Sequence, residues 1–286
     1  VPSASSFAKL NLTLHITGRR ADGYHLLQSL VAFAAVGDQL TVEPDDQLSL
    51  MVDGPFSGGL ETAKDNLVLK AAHFLREATG MRRGAKILLE KHLPLASGIG
   101  GGSGDAALAL RLLASLWQCS PDTALLDALA LRLGADVPAC LHGRAGWMEG
   151  IGEHFSLLSP FPSGAVILVN PCQPLPTAQV FAEYKRSASG FSPTEELPKG
   201  FADFDALADY LASRHNDLLS AASLLFPGIT PRLTALEALP MVRIARLSGS
   251  GATCFGLCAT EADAAAAASL MREAFPNDWV ASAALR

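Results

Sequence analysis

"PLASGIGGGSGDAALALRLL" spans residues 94–113, and five of the seven residues from Gly98 to Gly104 are glycine. An almost wholly apolar run follows at once. So much glycine carries a large cost in chain entropy, which a plain turn does not repay. A helix N-terminus presents unpaired N–H groups and about +0.5 of an elementary charge. A preceding stretch without side chains lets a phosphate come close to those amides. The strand pattern "AKILLE" at 85–90, the glycines, and a helix expected over Asp105–Trp117 supply that order of elements. We therefore expect an anion site here, the other reading being a tight glycine-rich connection.

The familiar phosphate loops do not fit. GxxxxGK[ST] fails because no lysine follows the glycines, and GxGxxG fails because Ser103 stands at the third position. The protein-kinase HRD and DFG motifs are absent as well. Ser103 adds a hydroxyl that can meet a phosphate oxygen or Mg²⁺.

Outward from this stretch, "FAKLNLTLHI" (7–16) alternates, which predicts a strand with one apolar face and a second face carrying Lys9 and Asn11. Strands are also expected at 38–43, 48–52, 165–170, 241–247, 253–259 and 279–284. Arg144–Glu149 and His154–Leu158 are expected to pair as a hairpin. Helical spacing marks 65–79, 122–132, a short helix near Asp136, 177–184, 203–212, 215–224, 230–239 and 261–275. A polar loop is expected at 185–200. "SPFPSG" (159–164) reads as a linker, giving expected domains 1–158 and 159–286. Strands and helices mix without regular βαβ alternation, so the fold class is α+β in two domains.

Composition narrows the function classes. Net charge is −6, which argues against nucleic acid or an anionic membrane as partner. Hydrophobic residues make up 49% and charged residues 17%, ample for a large core. No apolar run reaches the ~18 residues of a membrane span. The five cysteines are scattered without a CxxC, as in a chain of reduced thiols, so the cytoplasm is expected.

The glycine stretch resembles the phosphate-binding motif of the GHMP kinases, commonly PxxxGLGSSAA. "FAKLNLTLHITGRRADGYH" (7–25) and "LSGSGATCFG" (247–256) are similar to that family's N-terminal and C-terminal motifs. "GRRADGYHLLQS", the glycines 100–102, "LGADVPACLHGRA" and "GIGE" resemble in particular the GHMP kinases acting on 4-diphosphocytidyl-2-C-methyl-D-erythritol, in the non-mevalonate isoprenoid route. The resemblance implies an N-terminal domain like ribosomal protein S5 domain 2 and a C-terminal ferredoxin-like α/β sandwich. It implies an ATP-dependent kinase that uses Mg²⁺ and phosphorylates the 2-hydroxyl of that small molecule, as a monomer or weak homodimer. Other members of the fold are the alternatives: a homoserine- or mevalonate-type kinase, a decarboxylating relative, or a nucleotide-binding member without turnover.

The resemblance also implies site residues. Asp136 is the candidate base and Lys9 its cationic partner. The other readings are a helix N-cap for Asp136 and a solvated strand lysine for Lys9. Pro94, Leu95, Ala96, Ser97, Gly98, Ile99, Gly100, Gly101, Gly102, Ser103 and Gly104 hold the nucleotide. Asn66 falls near its adenine, a simple helix cap being the alternative. Tyr24 and His25 read the cytosine, with Phe181 and Thr177 on one helix face; core packing is the other reading for both aromatics. Asn11, Gly249, Ser250 and Gly251 complete the substrate set, with a plain hairpin as the other reading of "SGSGA". Gly104 departs from the family's usual serine, which implies one missing side-chain contact to nucleotide or metal.

Overall fold

The computed structural model describes residues 1–58, 60, 65–187 and 190–286. The chain forms two compact units, each built from separated stretches. One comprises Val1–Ala8, Val36–Leu93 and Gly100–Gly143; the other comprises Lys9–Ala35, Pro94–Ile99 and Arg144–Arg286. A cut between residues 158 and 159 lies inside the second unit. Strands and helices are numbered along the chain.

In the first unit, β1 (Ser3–Ser5), β5 (Gln39–Asp45), β7 (Gly84–Glu90) and β6 (Leu48–Asp53) form a sheet in that spatial order. β6 and β7 are parallel, and α1 (Leu67–Thr79) makes the crossover between them. Asn66 caps α1 by accepting from Val68 N–H (2.9 Å), and left-handed Gly80 ends it. α2 (Gly101–Trp117), α3 (Thr123–Leu133) and α4 (Val137–His142) complete the unit. α2 is the central helix: Ala106, Ala109, Leu110 and Leu113 are buried in the core with Val42, Ile87 and Leu75. The apolar run therefore became a helix with little free surface, as its composition suggested.

The second unit holds two sheets. β2 (Ala8–Asn11), β4 (His25–Ala34), β8 (Gly146–Gly150) and β9 (His154–Leu157) lie in that order, with β3 (His15–Arg19) also paired to β4. β11 (Ile244–Leu247), β12 (Cys254–Cys258), β10 (Ala165–Asn170) and β13 (Trp279–Ala284) form an antiparallel sheet. With α5 (Thr177–Arg186), α6 (Phe204–Ala212), α7 (Leu219–Leu225), α8 (Ile229–Glu237) and α9 (Glu261–Ala274) around it, this sheet has the strand order of a ferredoxin-like βαββαβ unit. The hairpin expected at 144–158 is β8–β9. Cys254 and Cys258 are buried free thiols, and burial pushes both up to about 12.

The structure departs from the sequence expectations at several points. Residues 7–16 are not one strand: Leu12 and Thr13 both donate to Leu30 O (2.8 and 3.4 Å), which breaks the ladder between β2 and β3. The polar face is not solvated either, since Lys9, Asn11, Thr13 and His15 are all buried. β4, ten residues long, had no predicted counterpart; nearly all of it is buried, so its sequence does not alternate. α7 starts at Leu219 rather than 215, because Leu14 and Asn216 form a β-bridge there. The loop expected at 185–200 includes residues 188 and 189, which lie outside the described residues, and Lys185 and Arg186 belong to α5.

Trp117, the last residue of α2, donates its indole N–H to Gly84 O at 3.0 Å. Trp117→Phe leaves that buried carbonyl without its donor and is expected to cost about 1–3 kcal/mol. Urea unfolding of the two chains measures the difference.

Candidate active site

α2 begins earlier than the sequence suggested, at Gly101 rather than Asp105. Glycine and Ser103 therefore make up its first turn, and the helix runs into the phosphate motif itself. Gly100 is its N-cap, with φ +66° and no side-chain cap. Such a cap position commonly carries a serine, threonine or aspartate that would occupy the first N–H groups. Among the described residues, a Cβ placed on Gly102 would meet only Leu67 Cδ1, at 3.9 Å. Their packing does not require glycine there. Gly104 is different: it is buried, and its Cβ would lie 3.4 Å from Phe7 O and from Ser6 Cβ. A side chain at 104 would point at Ser6 and Phe7, so the serine that this chain lacks is a packing change.

The other half of the motif belongs to the second unit. Four consecutive carbonyls of residues 96–99 are bound to protein donors. Ala96 O accepts from Leu175 N–H (3.3 Å), Ser97 O from Thr253 N–H (3.1 Å) and Ile99 O from Lys9 N–H (2.8 Å). Gly98 O accepts from Ser248 Oγ (3.0 Å). A carbonyl oxygen repels an anion, and here each is committed elsewhere. Gly98 has φ +75°, and a Cβ on it would sit 2.5 Å from Ser248 O. The SGSGA loop packs backbone to backbone on residues 96–99, so it is more than a hairpin. Asn216 holds that loop by donating to Leu247 O (2.9 Å) and Gly249 O (2.8 Å). The sequence assigned Asn216 no role, because the partners of its side-chain amide are main-chain atoms far along the chain.

The expected substrate residues lie in the same unit. Asn11 donates from Nδ2 to Ser29 Oγ (2.7 Å), and its N–H donates to Ser248 Oγ (3.3 Å). Thr177 and Ser250 hydroxyls are 2.8 Å apart. His25 stacks on Phe181 with ring centroids 5.2 Å apart and meets Tyr184 edge-on at 5.7 Å. Burial, then the Arg19 and Lys185 cations, holds the His25 imidazole below its ordinary range. A neutral imidazole offers one donor and one acceptor. Tyr24 is 62% exposed, so the core reading fails for it. It stands on a turn closed by Arg20 N–H to Tyr24 O (2.7 Å). Phe181, half-buried against the core, supports the His25 ring rather than standing free to face Tyr24.

Lys9 is on β2 in the second unit and is buried, so it is not a solvated strand lysine. Asp136 is in the first unit, half-buried just before α4. It stands at the N-cap position with helical φ/ψ, and its carboxylate makes no capping hydrogen bond. The cap reading therefore fails for Asp136 and holds for Asn66.

Sequence reasoning also missed a buried cluster in the first unit. Lys91 Nζ donates to Asp38 and, at 2.7 Å, to Asp105. Ser6 Oγ donates to Asp105 Oδ1 (3.0 Å) and accepts from Asp38 N–H (3.1 Å). Burial raises the Asp105 carboxyl to about 7, opposed by Lys91 and aided by Asp38. Burial works to lower the Lys91 ammonium, and the two carboxylates outweigh it and raise it. Among the described residues, no group of three His, Cys, Asp or Glu side chains is placed to hold a metal, and no helix is long and apolar enough to cross a membrane.

Comparison with known proteins gives a consistent picture. The family model "GHMP kinases N terminal domain" matches residues 66–144, and "GHMP kinases C terminal" matches 195–277. The chain is 47% identical to the 4-diphosphocytidyl-2-C-methyl-D-erythritol kinase of Parvibaculum lavamentivorans, over 96% of this chain and 94% of that one. It is 51% identical to the enzyme of that name from Cereibacter sphaeroides, over 96% and 95%. A crystal structure of 4-(cytidine 5'-diphospho)-2C-methyl-D-erythritol kinase matches with a TM-score of 0.81 at 33% identity, covering 99% of each chain. The L. major mevalonate kinase shares the fold at 16% identity, with a TM-score of 0.67 over 99% of this chain and 96% of that one.

Two glycine substitutions separate the roles within the motif. Gly98→Ala forces Cβ onto Ser248 O and is expected to destabilise the protein. Gly102→Ala replaces glycine by the best helix former and is expected to be neutral or stabilising by up to about 1 kcal/mol. Melting temperatures that fall for both would refute the open space at 102.

Proposed function

The chain belongs to the 4-diphosphocytidyl-2-C-methyl-D-erythritol kinase family of GHMP kinases, and on that premise we propose that it transfers the γ-phosphoryl group of ATP to the 2-hydroxyl of 4-diphosphocytidyl-2-C-methyl-D-erythritol, a step toward isoprenoid precursors. The observation that carries the proposal is the first turn of α2, uncapped by any side chain and built of glycine that packing does not demand at Gly102. An array of main-chain N–H groups at a helix start is suited to a polyphosphate.

The Gly101, Gly102 and Ser103 amides bind the β- and γ-phosphates and stabilise the charge that builds up during transfer. Mg²⁺ fits as an ion carried by the nucleotide's phosphates. Among the described residues the donor set lacks an all-protein cage, and Mg²⁺ characteristically takes few protein ligands beside phosphate and water. Ser103 Oγ is the hydroxyl this chain offers to it or to a phosphate oxygen. When bound, Mg²⁺ neutralises phosphate charge.

Asp136 takes the proton of the acceptor hydroxyl as its oxygen bonds to the γ-phosphorus and the bridging P–O bond to ADP breaks. Lys9 supplies positive charge from a buried position on β2, which stabilises the transferring group. Phosphoryl transfer passes through a loose transition state, so positioning and electrostatics carry most of the work.

In the second unit, Tyr24 offers an exposed π face to the cytosine, and His25, neutral and braced on Phe181, offers hydrogen bonds to its edge. Asn11, Thr177 and the 249–251 loop bind the remainder of the acceptor. Ser250 and Thr177 are already bonded to each other, so they are placed before substrate arrives. The reading is of a small-molecule enzyme, and the net charge of −6 gives no general nucleic-acid surface.

An ADP-release assay tests this reading: the cytidylyl acceptor should support turnover, and homoserine or mevalonate should not. Asp136→Ala is expected to slow turnover about 10²–10⁴-fold with nucleotide affinity retained; a loss under threefold removes the base role. Tyr24→Ala is expected to raise the acceptor KM and leave the ATP KM alone. Should ATP binding fall instead, the cytosine assignment is wrong.

A further inference from the structure

The buried charges around Lys91 take no part in the chemistry just described, yet they sit directly under the phosphate-binding turn. A Cβ on Gly101 would lie 3.5 Å from Asp38 Oδ2 and 3.6 Å from Lys91 Nζ. Asp105 is four residues beyond Gly101 and so shares its helix face. Asp38 reaches the other stem of the glycine motif: its Oδ1 accepts from the N–H groups of His92 (2.6 Å) and Leu93 (2.8 Å), the last residues before Pro94. Lys91 joins the two carboxylates, and Ser6 makes a second link from the Asp105 carboxylate to the Asp38 main-chain N–H.

We propose that Lys91, Asp38, Asp105 and Ser6 are positioning residues for the nucleotide's phosphates, stapling the segment that enters the glycine motif, residues 91–93, to the helical turn that leaves it, residues 101–105. The inference rests on the phosphate-binding reading of α2. Its physical basis is what buried charge does and does not provide. All three charged side chains are 3% exposed or less. Apolar packing would hold a helix against a sheet at least as firmly, since desolvation offsets most of the gain of a buried ion pair. Charged hydrogen bonds add direction. Here they fix the register of a helix whose first four residues have a single side chain among them, Ser103. Glycine there leaves little side-chain packing to locate the turn, and a displacement of about 1 Å in a site of this kind lowers rate or affinity steeply. No atom of the cluster is assigned contact with substrate; it acts through the backbone of Gly101–Gly104.

The test uses the full chain with Ser6→Ala, Asp105→Asn and Asp105→Ala. Asp105→Ala removes the tie to both Lys91 and Ser6 and is expected to raise the ATP KM about tenfold, with the acceptor KM within twofold of the parent. Asp105→Asn keeps an acceptor for Lys91 and is expected to recover most of that loss, whereas Ser6→Ala raises the ATP KM a few-fold. Amide hydrogen exchange gives the readout that a general loss of stability would not mimic. In Ser6→Ala, the Gly102–Gly104 amides should exchange faster while the rest of α2 stays as protected as before. If Asp105→Ala does not fold, Ser6→Ala exchange and ATP KM decide the matter. An unchanged ATP KM together with uniform exchange along α2 overturns the positioning role. A parent chain that binds no ATP overturns the phosphate reading and this role with it, so the two failures are distinct.

Discussion

An anion site made of main-chain N–H groups has no side chain that can adjust, so its function depends on a rigid backbone. That constraint accounts for much of what surrounds the glycine motif. Much of α2 is buried, and its first turn carries no capping side chain. Rigidity therefore has to come from below, which is the part we propose for the ammonium of Lys91 and the carboxylates of Asp38 and Asp105. In the second unit the same constraint is met differently. The carbonyls of residues 96–99 are each bonded to a donor, and Ser248, Thr253 and Leu175 provide three of those donors.

The glycines of one short motif serve distinct ends. Gly98 is required by a close backbone neighbour and a left-handed φ, and a Cβ at Gly104 would only come into van der Waals contact with Ser6 and Phe7. Among the described residues, Gly102 has open space beside it. Composition treats all of them alike. The expectation that Gly104 costs a nucleotide contact came from the family's usual serine there, and a Cβ at 104 would face Ser6 and Phe7.

The acceptor-binding residues show a similar division between chemistry and placement. For a tyrosine, a histidine and a phenylalanine the family resemblance implies base recognition. Their geometry assigns unequal tasks: Phe181 braces His25, and Tyr24 is left exposed. The second unit also recruits Asn216, whose amide fixes the 247–249 backbone. Asn216 was visible as part of a motif, but nothing in its neighbours along the chain pointed to a loop 31 residues away.

By itself, the sequence determined most of the elements that form and suggested what kind of ligand they face. Periodicity placed α1, α3, α9 and β13 to within a residue or two, because an amphipathic helix or strand writes its buried face into local spacing. The glycine run before an apolar helix led to the expectation of an anion site, because few other uses justify that loss of chain stiffness. Only the tertiary structure decided where α2 starts, that Lys9 is buried, and that Asp136 does not cap its helix while Asn66 does. It alone revealed the Ser6, Asp38, Lys91 and Asp105 cluster. Those outcomes depend on contacts between residues as much as 99 positions apart, and desolvation and hydrogen-bond partnership at that range leave no periodic trace in the chain.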